Sequence, residues 1–255
     1  FDQPWIDAFD ASLRVSYFSI EVEDSIATPS AGYALGQCYT STNYPNDPFC
    51  ARRERNAVTG LLNFVDTTPF NVATQNTNGW DFSGRFNMDL DWFGGFNYDM
   101  TTNFTKTLEV RNQTTVVSDL NEFVGDWGNP EWRGSINHRV RSGDWSMLWR
   151  SRYVGEQASI FNVVGVNYGD RNEAGSELGG DAVDSWDAVW MHDLSMTVNR
   201  DTWALTFGVN NVFNEEPAVV DQNASGATQA NGSEVLGSGY DIIGRRLFVN
   251  VTKEW

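Results

Sequence analysis

Polar and apolar residues alternate with a period of two along most of this chain, in runs of about ten residues or more. Trp203, Leu205, Phe207 and Val209 share one parity, and Ala204, Thr206, Gly208 and Asn210 share the other. Phe96, Tyr98, Met100 and Phe104 alternate with Asn97, Asp99, Thr101, Asn103 and Thr105, and Trp132, Ile136 and Val140 with Arg133, Asn137, Arg139 and Arg141. Trp186, Trp190, Leu194, Met196 and Val198 do the same against Asp187, Asp193, Ser195 and Asn199. Leu247, Val249, Val251 and Trp255 close the chain against Arg246, Asn250, Thr252 and Glu254. Successive side chains of an extended strand point to opposite sides, so each run is a strand with one apolar and one polar face. Helical periodicity is nearly absent, and the expected fold class is all-β.

Two architectures use such strands. In a sandwich the apolar face is the core; in a transmembrane antiparallel barrel it meets lipid and the polar face lines a hydrated interior. The barrel is favoured on three grounds. The polar parities carry charges and amides at every second position, and Trp80, Trp92, Trp132, Trp145, Trp186, Trp203 and Trp255 crowd the strand ends as interfacial girdles do. The links between strands also alternate between short and long. Short links fall at Asp91-Trp92-Phe93-Gly94, Ser142-Gly143-Asp144 and Asn199-Arg200-Asp201, and long ones at 28–75, 112–129, 158–184 and 215–239. Short periplasmic turns and long outer loops are the habit of outer-membrane barrels. About eight strands result, at 10–27, 76–91, 95–111, 130–142, 145–157, 185–199, 202–214 and 240–255. The apolar patch Val58–Val65 is read as an extracellular hairpin strand, because a ninth barrel strand would break the even count.

Composition narrows the function classes. The chain is 40% hydrophobic yet 14% aromatic, with 11 Trp and 16 Phe, an aromatic share that a soluble core would normally replace with aliphatic residues. Its formal charge of -17 would repel a phosphate backbone, so nucleic acid is excluded as a partner. No run approaches the roughly 18 apolar residues of a membrane-spanning helix, and no basic segment followed by an apolar one marks a signal peptide. The chain opens at Phe1 without an initiator Met, which a mature N-terminus or a fragment would each explain. Cys38 and Cys50 bracket a polar, Asn/Pro-rich segment, with no cysteine elsewhere. The expectation is a disulfide made in an oxidising compartment, with two separate thiols as the alternative. A metal site is disfavoured there because neither His138 nor His192 is near in sequence.

GVNNVFNEEP at 208–217 and YDIIGRRLFVNVTKEW at 240–255 resemble the final hairpin of TonB-dependent outer-membrane receptors. That family pairs an Asn-rich strand exit with a Tyr-Asp after the last loop, a Gly-Arg step and a terminal aromatic. ASLRVSYFSIEVEDSI at 11–26, the cysteine loop, GLLNFV and TNGWDFSGRF at 77–86 follow the family pattern in the same order. The resemblance implies a barrel of about 22 strands with a plugged lumen, of which this chain supplies roughly the C-terminal eight. It implies a location in the Gram-negative outer membrane, among lipid and lipopolysaccharide. It implies active uptake of an iron-siderophore, cobalamin or oligosaccharide, and a TonB complex reached through an N-terminal part that these residues do not contain. Trp255 would be the signal read by the barrel-assembly machinery, in place of the commoner Phe, and Lys253 replaces a frequent Tyr or aliphatic residue.

No catalytic constellation stands out, so no enzyme activity is expected. His138 and His192 share the apolar parity of their strands, where an imidazole packs rather than acts as a base. Asp170, Asn172, Gly175 and Asp181 sit at positions of a calcium-loop pattern, but Ala174 falls where a side-chain oxygen is needed. Calcium in this loop is therefore a faint expectation beside a plain solvated acidic loop, and no other cofactor is implied. Arg133, Arg139 and Arg141 share the polar parity of one strand, and Arg150 and Arg152 that of the next. An ion-pair network with carboxylates of a plug or of the barrel, such as Asp81, Asp187 and Asp193, is expected, in preference to a cationic path for anions. Ligand contacts are expected in the outer loops at Asp126, Trp127, Asn129, Tyr168 and Asp170. Two rival readings remain: a small autonomous outer-membrane barrel acting as adhesin or enzyme, and a secreted β-sandwich lectin that would bury Trp203, Phe207 and Val251.

Overall fold

The computed structural model describes residues 8–91, 95–113, 121–158, 185–217, 219–221, 233–235 and 239–253. Eight strands make the main antiparallel sheet in chain order: β1 (Asp10–Ala27), β2 (Phe70–Leu90), β3 (Phe96–Gln113), β4 (Trp132–Ser142), β5 (Trp145–Val154), β6 (Val189–Arg200), β7 (Trp203–Asn210) and β8 (Arg246–Lys253). Every neighbour in the sheet is a neighbour in sequence, the up-and-down arrangement that short turns and long loops dictate. The path ends at β1 and β8, which do not pair with each other among the described residues, so these strands form an open sheet and not a small closed barrel. Among the described residues no helix is long and apolar enough to cross a membrane, which leaves crossing by strands untouched.

Register carries the alternation across the sheet. One row runs Tyr98, Val140, Met147, Met196, Phe207 and Val249; the next, on the other face, runs Asn97, Arg141, Ser146, Thr197, Thr206 and Asn250. The apolar face is tied by ring contacts, among them Phe82–Trp132, Phe96–Trp145, Tyr153–Trp190 and Trp149–His192. Phe104 lies over Gly134, where any Cβ would collide with the ring. Among the described residues nothing shields this face at three of its side chains: Trp203 is 41% exposed, Phe207 45% and Val251 66%. That overturns the sandwich, whose core these three would have formed. A soluble protein rarely leaves so continuous an apolar surface bare.

The described chain divides into two compact units, one of Phe1–Ser19, Asn78–Glu109 and Phe123–Trp255, the other of Ile20–Thr77 and Val110–Glu122. The second unit corrects one expectation, because the first long connection contains a helix, α1 (Ala31–Thr40). Ser30 caps it by accepting from the Tyr33 amide at 3.1 Å. Its one buried stripe, Ala34 and Cys38, packs on Phe49 and Cys50, and Cys38 is disulfide-bonded to Cys50 with Cα atoms 4.7 Å apart. So short a helix, anchored by one stripe and a cross-link, leaves little periodic signal in sequence. The hairpin expected at Val58–Val65 forms from Arg53–Arg55 and Leu62–Val65, apart from the main sheet, but Val58 belongs to its turn and is 94% exposed.

Several strand ends also shift. β2 begins at Phe70, β5 ends at Val154 and β7 at Asn210, while β6 begins at Val189 and β8 at Arg246. Asn211 and Asn214 take left-handed backbone, φ 52° and 57°, which ends β7 before the expected Asn214. Of the girdle tryptophans, Trp92 and Trp255 lie outside the described residues.

Candidate functional site

The loop end of the polar face, in the first unit, holds a buried cluster. Val154, Val189, Met191 and Tyr240 form its core, with Trp186 against it. Val154, Val189 and Met191 fall on the polar parity, so at this end the face that carries charge elsewhere becomes apolar and must be covered. Tyr240 packs on them, and Gln157 ties its hydroxyl to the segment 123–129. That segment folds on itself: the Asn129 amide donates to Asp126 O, the Gly125 amide to Asn129 O, and the Ala158 amide to Gly125 O, each at 2.8 Å. Gly125 and Gly128, at φ 84° and 91°, supply the left-handed backbone this tight path requires.

Gln157, 2% exposed, joins the parts. Its Oε1 accepts from the Gly128 amide at 2.6 Å and its Nε2 donates to the Tyr240 hydroxyl at 2.9 Å. Arg133 Nη2 donates to Gly128 O at 3.2 Å. Burial pushes the Tyr240 hydroxyl above its ordinary pKa, while the Gln157 hydrogen bond and the Arg133 charge oppose that shift. Below Tyr240 the strand exit is locked in the same way. Asp241 accepts from Arg246 Nη2 at 3.1 Å and from the Ile243 amide at 3.1 Å. Asn211, fully buried, donates to Glu215 O at 2.8 Å and accepts the Glu215 amide at 2.7 Å, and its own amide donates to Asp193 Oδ1 at 3.0 Å. Asn214 Oδ1 accepts from the Arg245 amide at 3.0 Å. These contacts give the Asn-Asn, Tyr-Asp and Gly-Arg positions of the resemblance a physical function: they clamp the exit of β7 to the approach of β8.

Three of the residues expected to meet a ligand therefore lie in one turn. Asp126 Oδ1 accepts the Trp127 amide at 2.7 Å, and Asn129 closes the turn through its backbone. The Trp127 indole nitrogen is buried and has no acceptor among the described residues. Tyr168, Asp170, Asn172 and Asp181 lie outside the described residues, and with them the calcium-loop pattern. Gln157 went unread because a lone Gln after a strand carries no signal in sequence.

The expected arginine network forms only in part. Arg152 Nε reaches Asp193 Oδ2 at 3.4 Å, but Arg150 Nε donates to Asn137 Oδ1 at 3.0 Å instead. Asp81 accepts from the Thr105 hydroxyl at 2.6 Å, and Asp187 has no arginine partner among the described residues. Facing position alone does not decide the pairs: Arg139 lies opposite Asp99, which Arg85 holds, and Arg150 lies opposite Asp193, which pairs diagonally with Arg152. On the apolar face, His138 Nδ1 is 2.7 Å from the Tyr98 hydroxyl and His192 Nδ1 is 2.9 Å from Ser151 Oγ. Both imidazoles lie among aromatic rings, and among the described residues no carboxylate bonds either one.

The second unit presents an exposed pair of tyrosines under arginines. The Arg53 guanidinium lies 5.1 Å from the Tyr39 ring centre and 5.9 Å from that of Tyr44. Arg55 sits over Tyr39 at 5.7 Å and also bonds its hydroxyl. Nearby, the Thr68 amide and the Arg52 charge hold the Asp66 carboxyl below its ordinary pKa.

Compared with protein families, residues 2–212 match the one described as TonB dependent receptor-like, beta-barrel. The chain belongs to this family. Compared with curated proteins, it finds no match. The match stops two residues past β7, so β8 is joined to the TonB-dependent receptor barrel by its pairing with β7, in register from Trp203↔Lys253 to Asn210↔Arg246. The family consists of outer-membrane receptor barrels of Gram-negative bacteria that act in transport. For such a barrel the bare aromatic face is the lipid face, and the polar face lines the interior.

Proposed function

We propose that this chain is the C-terminal wall of an outer-membrane receptor that takes up a scarce solute, an iron-siderophore, cobalamin or oligosaccharide, with energy delivered by a TonB complex. The observation that carries this is the two-faced sheet: one face continuously apolar and uncovered, the other a ladder of charged and amide side chains. In the proposal the apolar face meets lipid and lipopolysaccharide, and the barrel-assembly machinery inserts the sheet by reading the terminal strand that ends at Trp255. The loop-end cluster around Gln157 and Tyr240 holds the turn that carries Asp126, Trp127 and Asn129 where an arriving solute meets the barrel. The buried indole N–H of Trp127 in that turn has no acceptor among the described residues. Capture would use Trp127 as a stacking surface and Asp126 and Asn129 as polar anchors, with Tyr168 and Asp170 from the neighbouring loop. A calcium ion at Asp170, Asn172 and Asp181 would order that loop.

Membrane fractionation tests the placement. The chain is expected in the outer-membrane pellet, released only by detergent. Recovery as a soluble protein without detergent overturns the reading. A second arm places a charge on the apolar face. Val249→Arg is expected to reduce insertion by about 2–4 kcal/mol if it sits near the bilayer midplane. Unchanged insertion would be incompatible with lipid against that face.

A further inference from the structure

The first long connection, in the second unit, holds a guanidinium against two aromatic rings. Tyr39 stands in the last turn of α1, next to the disulfide-bonded Cys38, and Tyr44 follows shortly after the helix. Both rings are exposed, and their centres are 5.8 Å apart. Arg53, on the hairpin strand Arg53–Arg55, places its guanidinium 5.1 Å from the first ring centre and 5.9 Å from the second. The cross-link and the paired hairpin fix Tyr39 and Arg53 on regular elements. The Tyr44 amide donates to Ser41 O at 3.2 Å, which closes the turn that carries the second ring.

The donors of Arg53 are only partly used. Its Nε donates to Cys38 Sγ at 3.2 Å, and its end-on pair, Nη1 and Nη2, has no acceptor among the described residues. Arg55 is engaged locally: Nε donates to the Tyr39 hydroxyl at 3.1 Å, Nη1 donates to Gly60 O at 2.8 Å, and the guanidinium lies 5.7 Å from the Tyr39 ring centre. Neither arginine forms an ion pair among the described residues, and Glu54, between them in sequence, pairs with neither. Asp66 is taken by Arg52 at 3.6 Å, and the buried Asp47 by the Phe49 amide at 2.8 Å. In a chain of formal charge -17, this connection therefore presents two positive charges without a bonded counter-charge. A guanidinium held on aromatic rings has little freedom left to lose, and its end-on donors match the two oxygens of a carboxylate. The exposed tyrosines beside it offer flat apolar faces with polar edges, which suit the C–H face of a sugar ring.

We propose that this cluster binds an acidic oligosaccharide, with the carboxylate of a uronic acid on Arg53 Nη1 and Nη2 and the sugar ring against the tyrosine pair. Arg55 adds charge and holds Tyr39 in place. The site is built from residues of the first connection alone and draws nothing from the polar face of the sheet. It goes beyond the uptake reading, since recognition here requires no passage through a barrel.

The test is calorimetric titration of the complete receptor, in detergent micelles at low ionic strength, with tetragalacturonate and separately with its methyl ester, which keeps the sugar rings and removes the charge. Saturable binding of tetragalacturonate is expected, with the ester weaker by about tenfold. Arg53→Gln is expected to weaken the acid about tenfold and to leave the ester unchanged. Arg53→Lys, which keeps the charge but not the planar fork, is expected to recover only part of that loss. Tyr44→Ala is expected to weaken both ligands alike, since it removes a stacking face and no charge. Added sodium chloride is expected to weaken the acid and not the ester. Arg14→Gln, which removes an exposed arginine from β1, is expected to change neither. Strand circular dichroism and a free-thiol assay of each variant separate lost binding from a lost fold or an opened disulfide. Failure of tetragalacturonate to bind a folded wild type overturns the proposal, and so does equal binding by folded Arg53→Gln. Equal binding of acid and ester by the wild type also overturns it, because the charge would then play no part. Fractionation tests the uptake reading independently, so the two can fail separately.

Discussion

The two ends of the polar face are built from the same strands and solve opposite problems. At the loop end, Val154, Val189 and Met191 make the face apolar, and Tyr240, tied to the turn 123–129 through Gln157, packs on them. At the turn end, Arg139 and Arg141 keep the face charged and open around a cavity. The contrast separates two uses of a β surface. Where neighbouring positions on two strands of this face are apolar, as Val154, Val189 and Met191 are, water is excluded and every polar group brought in must be paired, which makes the region rigid and specific. Where they are arginine and serine, the partners come from outside the sheet, and the strand ladder alone holds the geometry.

Substitutions can break this comparison, in decreasing order of expected effect. Met191→Ala leaves a cavity in the loop-end core and is expected to destabilise the sheet by about 3 kcal/mol, read as lowered thermal unfolding in micelles. An effect below the assay's resolution would mean that the end is not a packed core. Gln157→Leu strands the Gly128 amide and the Tyr240 hydroxyl, with an expected loss of about 2–3 kcal/mol. Its signature is local, with amide exchange rising across 123–129 and staying level in β7. Asn211→Ala removes two side-chain hydrogen bonds and strains a left-handed residue, for about 2 kcal/mol. Asn211→Gly keeps the backbone permissive and should recover part of that loss; if it does not, the backbone conformation is irrelevant to the clamp.

A pH titration sharpens the comparison further. Burial raises the Tyr240 pKa above 10.0, so the folded state favours the neutral phenol. A group raised in the fold contributes stability that is fully present below the unfolded pKa, near 10, and lost as pH rises through the folded value. Exchange protection at the loop end is therefore expected to fall above about pH 10, and Tyr240→Phe should flatten that response. The smallest effect belongs to the turn end. Arg139→Gln should change stability by less than about 0.5 kcal/mol, because an exposed, unpaired arginine supports nothing in the fold. A large loss on thermal unfolding would show that the arginine braces the wall.

The site was less legible in sequence than the wall around it. Asp126, Trp127 and Asn129 were read as a group, and they do share one turn. Their anchor is Gln157, whose partner Tyr240 lies 83 residues away, and no local pattern connects the two. Alternation places the arginine ladder on the polar face, but of the expected carboxylates only Asp193 takes an arginine among the described residues. Parity assigns a face, whereas the ion pair is settled by competition among side chains: Asp99 faces Arg139 but is held by Arg85, and Asp193 faces Arg150 but takes Arg152.

What the sequence determined by itself is the two-sidedness of each strand and the order of the sheet. Alternation is a property of residues two apart, and short turns force neighbours in sequence to pair. Tertiary structure alone decided that Val154, Val189 and Met191 are covered while Arg139 and Arg141 are not, and that a ten-residue helix stands in the first connection. Those outcomes rest on contacts between segments far apart in the chain. Their energy exists only once the register is fixed, so no window of sequence contains them.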